Sequence, residues 1–312
     1  MMINEERVII SSDINIGATI AYKDKSKNSP LVLLIMGTGS LDRDGNGFGF
    51  KSNMYKNLSD MFVEMGCVCI RYDKRGTHES SGDIKISGLS DLVNDAASVI
   101  HYAKKLDYVD KEKIVVCGHS EGAMIATLLT KNEDLSGIIL LCGACMGLKD
   151  AMLYQNYLVL EKVQNMKGIL GWYLRKTLNK ELIEKQVNDL FEKANKSNKA
   201  RYFYNGAFFS TKYMKEHNTL TGEEYVKVLK AYKGKILAIT GKKDVQADYG
   251  RLDSISNLKN VSVYTPEHVN HLMREVDGED NILNIKNEYK KVLKKDVSQD
   301  VKDSIEKWMS RL

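Results

Sequence analysis

Eight short apolar runs punctuate the chain: Arg7–Ser11, Ala18–Tyr22, Leu31–Met36, Val68–Tyr72, Ile114–Cys117, Gly137–Cys142, Ile236–Thr240 and Val261–Tyr264. Most are solid Val/Ile/Leu stretches rather than alternating ones, which predicts strands covered on both faces. Helical spacing lies between them. Leu89, Leu92, Val93, Ala96, Ile100, Ala103 and Leu106 form one stripe, with Ser90 as its expected N-cap, and Val301, Ile305, Trp308 and Leu312 form another. Alternating strand and helix implies a mostly parallel sheet with right-handed crossovers. The first two runs have no helix between them and predict an antiparallel hairpin at one edge.

The alternation stops at about Met146 and resumes at about Lys235. The intervening stretch is rich in Leu, Lys, Glu and aromatics, carries few strand signals, and predicts helices near 149–165, 170–177, 180–196 and 222–231. Because the strand pattern is intact on either side, the expected organisation is a core of residues 1–145 and 234–312 with residues 146–233 as an inserted helical cap.

Bulk properties narrow the class. The 312 residues can bury a large core, and 43% hydrophobic with 28% charged content is that of an ordinary globular protein. The net charge of +5 is dispersed as mixed Lys and Glu, with no basic block interleaved with aromatics, so no nucleic-acid binding is expected. No apolar run is long enough to span a bilayer, and the N-terminus lacks the pattern of a secretory signal. No membrane partner is therefore expected. Five cysteines, four of them (Cys67, Cys69, Cys117 and Cys142) in strand-like runs, read as reduced core thiols in a cytoplasmic protein. Cys142 and Cys145 form a CxxC spacing without a second pair, so no metal or redox role is assigned to them.

The candidate chemistry begins at Gly118-His119-Ser120-Glu121-Gly122. A Gly-x-Ser-x-Gly pentapeptide alone is weak, but here a buried-strand composition precedes it and a small-residue helical run, Ala123–Leu129, follows it. That context places Ser120 on a strained strand-to-helix bend, where flanking glycines leave the room a Cβ would occupy. A serine hydroxyl needs a base and a group that orients the base. Asp244 follows the strand that ends at Thr240, and His271 closes the loop after Val261–Tyr264, giving the order Ser, Asp, His along one sheet rim. Asp248 and His268 are the rivals. Asp248 lies further from its strand end, and His271, unlike His268, directly precedes the apolar pair Leu272-Met273. His119 is expected to pack beside the bend and His101 to be structural. The oxyanion donors expected are the backbone N–H groups of Glu121 and Thr38, with Gly39 and Ser40 as alternates for the second. The Glu121 side chain is expected to serve the helix N-terminus rather than act as a catalytic acid, with a contact to substrate left open. Asp42, Asp44, Asn46 and Gly47 resemble half of a calcium loop, but Asn53 stands where a bidentate glutamate is needed, so no metal is assigned.

With these residues in view, the chain resembles the α/β-hydrolase superfamily, and within it bacterial cap-bearing esterases similar to prolyl-oligopeptidase and dienelactone-hydrolase relatives. The matching stretches are 37–45, 71–76, 118–122, 240–246 and 270–272. The resemblance implies a mostly parallel eight-stranded sheet with helices on both faces. It also implies a serine esterase that uses no cofactor on a small-molecule acyl substrate. Peptidase or thioesterase chemistry, and a non-catalytic binding protein on the same fold, are the alternatives; a homo-oligomer is compatible. Many such relatives carry His before the oxyanion glycine. Met36 stands there in this chain and removes a polar contact that organises the loop. Arg71–Gly76 is expected to be structural, with Asp73 and Arg75 holding it. Nine cap aromatics (Tyr154, Tyr157, Trp172, Tyr173, Tyr202, Phe203, Tyr204, Phe208 and Phe209) are expected to build the cap's own core, with some enclosing a pocket over Ser120.

Overall fold

The computed structural model describes residues 2–278 and 280–312. Eight strands form one sheet: β1 Asn4–Ser11, β2 Asn15–Tyr22, β3 Ser29–Ile35, β4 Val68–Tyr72, β5 Val109–His119, β6 Gly137–Leu141, β7 Lys235–Ile239 and β8 Val261–Tyr264. Their order across the sheet is β1-β2-β4-β3-β5-β6-β7-β8. β2 pairs antiparallel with β1 and β4, and every other neighbour is parallel. All eight predicted strands are present, and the first two form the expected edge hairpin.

The solid apolar runs have a direct explanation. Leu31, Leu33 and Ile35 of β3 enter one core layer, while Val32, Leu34 and Met36 enter the other. The first layer packs beneath α2 (Leu89–Ala103) and α3 (Glu121–Leu129), and the second beneath α1 (Met54–Glu64), α9 (Ile285–Val292) and α10 (Gln299–Met309). A strand sandwiched this way has no face left for polar residues. The N-cap of α2 differs from expectation. Gly88 occupies that position, its N–H donating to the Asp91 carboxylate at 2.7 Å, and the Ser90 hydroxyl instead donates to Glu216 at 2.7 Å.

Between β6 and β7 lie α4 (Leu148–Gln164), α5 (Gly168–Thr177), α6 (Lys180–Lys196), α7 (Thr211–Thr219) and α8 (Gly222–Ala231). Four of these match predicted helices. The stretch also contains an antiparallel hairpin, Arg201–Tyr204 against Ala207–Ser210, that the helical reading missed. Its signal was present in the sequence. Asn205-Gly206 turns with both residues at positive φ (44° and 86°) between two aromatic runs, the short-range mark of a tight hairpin.

Candidate active site

β3, β5, β7 and β8 run parallel, so the loops leaving their C-terminal ends share one rim. β5 ends at His119, and α3 begins at Glu121. Ser120 alone makes the turn, at φ 56° and ψ −119°, and its N–H is tied to Leu141 O at 2.8 Å. The glycines at either side are there for steric reasons. A Cβ on Gly118 would lie 2.0 Å from Gly122 O, and one on Gly122 would lie 2.1 Å from Ile35 O.

Asp244 and His271 come from different loops and meet. The His271 Nδ1 lies 2.8 and 3.1 Å from the two Asp244 carboxylate oxygens. Asp244 is 2% exposed and also accepts N–H bonds from Gln246 and Ala247. Burial alone would raise its carboxyl, but the His271 ring and these hydrogen bonds hold it below the usual carboxylate range. Neither rival joins the pair: His268 is exposed, and Asp248 caps the turn at Gly250. Leu272 and Met273 are buried, as an anchor for the His271 loop requires.

A second polar chain links the two sides of the site. The His119 Nε2 lies 2.8 Å from His271 O, and its Nδ1 lies 3.0 Å from the Tyr55 hydroxyl, which also accepts the Gly37 N–H at 2.8 Å. A carbonyl can only accept. The proton therefore sits on Nε2, Nδ1 accepts from Tyr55, and the Tyr55 oxygen is free to accept from Gly37. Burial and the adjacent His271 ring push the His119 imidazole down to about 3, consistent with this neutral form. Tyr55 thus supplies the polar contact that Met36 cannot, from a helix the apolar pattern did not predict. Because Gly37 N–H is occupied, Thr38 is the next N–H along the loop.

The other missed residue is Lys74. Its ammonium donates to Gly37 O at 2.6 Å and forms an ion pair with Glu121, both side chains being buried. Tyr213 of α7 donates to the other Glu121 oxygen. Burial would raise the Glu121 carboxyl, but Lys74 and Tyr213 hold it below the usual range. Besides its place at the helix N-terminus, this carboxylate joins the Gly37 loop, α3 and α7. On either side of Lys74 in sequence, Asp73 and Arg75 hold the loop as expected. Asp73 accepts the Arg43 N–H at 2.8 Å, and Arg75 pairs with Asp95 of α2 at 2.6 Å.

Ser120, half-buried, and His271 line a common cavity of about 370 Å³. Its aromatic side chains are Phe50, Tyr55, Tyr213 and Tyr289, and none of the nine cap aromatics singled out from the sequence lines it. Of those nine, Trp172, Tyr173, Phe203 and Phe208 are exposed. Tyr202, Tyr204 and Phe209 pack with Leu190, Phe191 and Met214 in a small core of the 146–233 stretch.

Among the described residues, the nitrogen and sulfur atoms of His119, Cys142 and His271 come within 4.8 Å of one another. Both His119 nitrogens and the His271 Nδ1 already have partners, and burial pushes the Cys142 thiol well up, so the thiolate a metal prefers is disfavoured. The calcium-like stretch is likewise engaged. Asp42 accepts N–H bonds from Asp44 and Asn46 of its own turn, and Asp44 pairs with Arg71 at 2.6 Å.

Comparison with known proteins agrees with this architecture. The chain is 24% identical over 286 residues to esterase EstD of Thermotoga maritima, covering 90% of this chain and 62% of that protein's length. Est1E of Butyrivibrio proteoclasticus, solved with ferulic acid bound, superposes with a TM-score of 0.60 at 17% identity over 97% of this chain and 98% of its own. Esterase Pf2001 of Pyrococcus furiosus superposes with a TM-score of 0.55 at 12% identity over 99% and 92%. The family model described as serine aminopeptidase, S33, matches residues 45–250, two thirds of the sequence, and the chain belongs to that hydrolase family.

Proposed function

We propose that the protein is a serine hydrolase that cleaves carboxylic esters through an acyl-enzyme on Ser120. The observation that carries this reading is the Asp244–His271 pair facing the same cavity as a serine held at positive φ at the end of β5. In the proposed reaction the Ser120 Oγ attacks the ester carbonyl while the His271 Nε2 takes its proton, and Asp244 holds the imidazolium that results. The N–H groups of Glu121 and Thr38 stabilise the oxyanion, each contributing about 3 kcal/mol in comparable sites. His271 returns the proton to the departing alkoxide. Water then repeats the attack, with His271 again as base, and releases the acid. No cofactor enters these steps.

The esterase names of EstD, Est1E and Pf2001 favour ester over peptide cleavage. An aminopeptidase, the activity in the family's description, would need an unpaired carboxylate for the substrate's ammonium. Glu121, the acid beside Ser120, is already held by Lys74 and Tyr213. Residues 146–233 act in this reading as a cap over the rim. The five buried free thiols suit a reducing, cytoplasmic setting. Among the described residues, no helix is long and apolar enough to cross a membrane.

Fluorophosphonate labelling tests the nucleophile: the wild type should label and Ser120→Ala should not. With nitrophenyl acetate as substrate, His271→Ala should lower kcat by about a thousandfold or more while the protein still folds, and His268→Ala keeps its rate. Loss of activity in His268→Ala but not His271→Ala would overturn the assignment of the base. Aminoacyl anilides and acyl thioesters assayed beside the nitrophenyl esters separate the peptidase and thioesterase alternatives.

A further inference from the structure

A second cavity, about 510 Å³, lies beneath the hairpin of residues 201–210 and meets the Ser120 cavity along Thr38, Glu121, Leu148, Met152 and Tyr213. Its walls are largely apolar, with Ile84, Leu92, Leu190, Phe208, Phe209 and Met214 among them. Three cations, Lys74, Lys85 and Arg201, also line it, against one carboxylate. That carboxylate is Glu121, which Lys74 already neutralises.

Arg201 is therefore uncompensated at the apolar wall, while Lys85 stands solvent-exposed at the edge of the cavity. The Arg201 guanidinium rests over the Phe208 ring, 4.9 Å from its centroid, and its Nε is buried without a hydrogen-bond partner. Neither cation forms an ion pair with a carboxylate among the described residues. A buried donor left unpaired keeps its desolvation cost, and a ligand oxygen placed there would recover it. A neutral alkyl or aryl chain would fill the apolar walls and leave that cost standing.

We propose that this outer cavity binds the distal end of an ester whose apolar arm terminates in a carboxylate, with Arg201 and Lys85 as the anion's partners. The inference rests on the esterase reading for turnover, but the binding site it describes stands on the cavity itself. Hydrolysis leaves the anion untouched, since the bond broken is the ester at Ser120 in the inner chamber.

Two measurements test it. Nitrophenyl hemiesters of succinate, adipate, suberate and sebacate are compared with nitrophenyl butyrate, hexanoate, octanoate and decanoate. At one chain length or more, the carboxylate-ended member should be favoured by about tenfold in kcat/KM, and Arg201→Gln should bring that ratio close to one. Arg7→Gln, which removes the same charge from the edge strand β1, should leave the ratio as it is. Acetates of ω-hydroxy acids place the anion on the alcohol side, and a preference in that series alone assigns the arm to the leaving group. Independently of turnover, calorimetry on Ser120→Ala should show monomethyl suberate binding about tenfold tighter than methyl octanoate, with the difference lost when Arg201→Gln is added. Equal binding of those two ligands, or an Arg201→Gln effect identical on both, overturns the site. Tighter binding of the anion without turnover of any ester keeps the site and overturns the esterase reading instead.

Discussion

The rim of the sheet and the 146–233 stretch hold their polar atoms to different degrees. At the rim, three groups have two or more partners each: Asp244 has His271 and two backbone N–H groups, His119 has Tyr55 and His271 O, and Glu121 has Lys74 and Tyr213, although Arg43 and Arg274 nearby each leave one buried guanidinium nitrogen unpartnered among the described residues. In the 146–233 stretch, both nitrogens of buried His217, the hydroxyl of buried Tyr225 and the Nε of Arg201 have no partner among the described residues. Ile169, Leu170, Trp172 and Tyr173 of α5 face solvent. In the proposed reading, the difference reflects what each region has to do. A rim that assembles reacting groups from four loops tolerates little displacement. A covering element needs only to close over a ligand, and is less tightly specified.

The largest separation between the two should come from glycine. Gly122→Ala puts a Cβ against Ile35 O in fixed backbone and should cost more than about 3 kcal/mol, visible as lost soluble yield or a collapsed denaturation midpoint. Gly206→Ala meets nothing within 4 Å, and at its positive φ should cost only about 1 kcal/mol. Comparable losses for the two would dissolve the contrast.

A smaller effect is expected at Tyr55. Phenylalanine there unties Gly37 N–H from His119, and kcat for nitrophenyl acetate should fall about tenfold, with KM moving less, since the loop is tethered mainly for the transition state. An unchanged kcat would remove Tyr55 from the positioning chain.

The smallest and most distinctive effect is at His217, whose ring burial pushes down to about 4. In the unfolded chain the same imidazole takes up a proton near 6.5, so the unfolded state binds more protons as pH falls from about 6.5 to about 4, and stability drops across that window. His217→Phe removes both the orphaned nitrogens and the proton uptake. It should raise stability by about 1 kcal/mol at neutral pH and flatten the acid side of a melting-temperature profile. Because His119, at about 3, titrates in the same direction, some slope should persist.

Much of the candidate site could be read from local sequence. The Ser120 bend was legible because Gly118 answers a backbone clash with Gly122, close by in sequence, although Gly122 itself answers Ile35 of the neighbouring strand. Asp244 and His271 were legible because parallel strands deliver their exits to a common edge. Lys74 and Tyr55 were not. Lys74 lies between Asp73 and Arg75, both of which serve the loop, and nothing local distinguishes the one that turns into the site. Tyr55 acts through its hydroxyl from a helix whose apolar face gives no hint of it. The cap aromatics were legible only in part: Tyr202, Tyr204 and Phe209 do pack in a small core of the stretch, but composition does not say which cavity a ring lines, and none of the nine lines the Ser120 cavity.

What the sequence determined by itself were the strand runs, the strand-to-helix bend at Ser120 and the order of the three candidate site residues, because periodicity marks the strands, a local clash calls for Gly118, and each candidate follows the end of a strand run. What only the tertiary structure decided was which long polar side chains meet: Lys74 with Glu121, Tyr55 with His119 and Gly37, and Arg201 with none. Those outcomes depend on distances between segments far apart in the chain, and an ammonium or hydroxyl at the end of a flexible stem reveals its partner only once the backbone has brought one within hydrogen-bond reach.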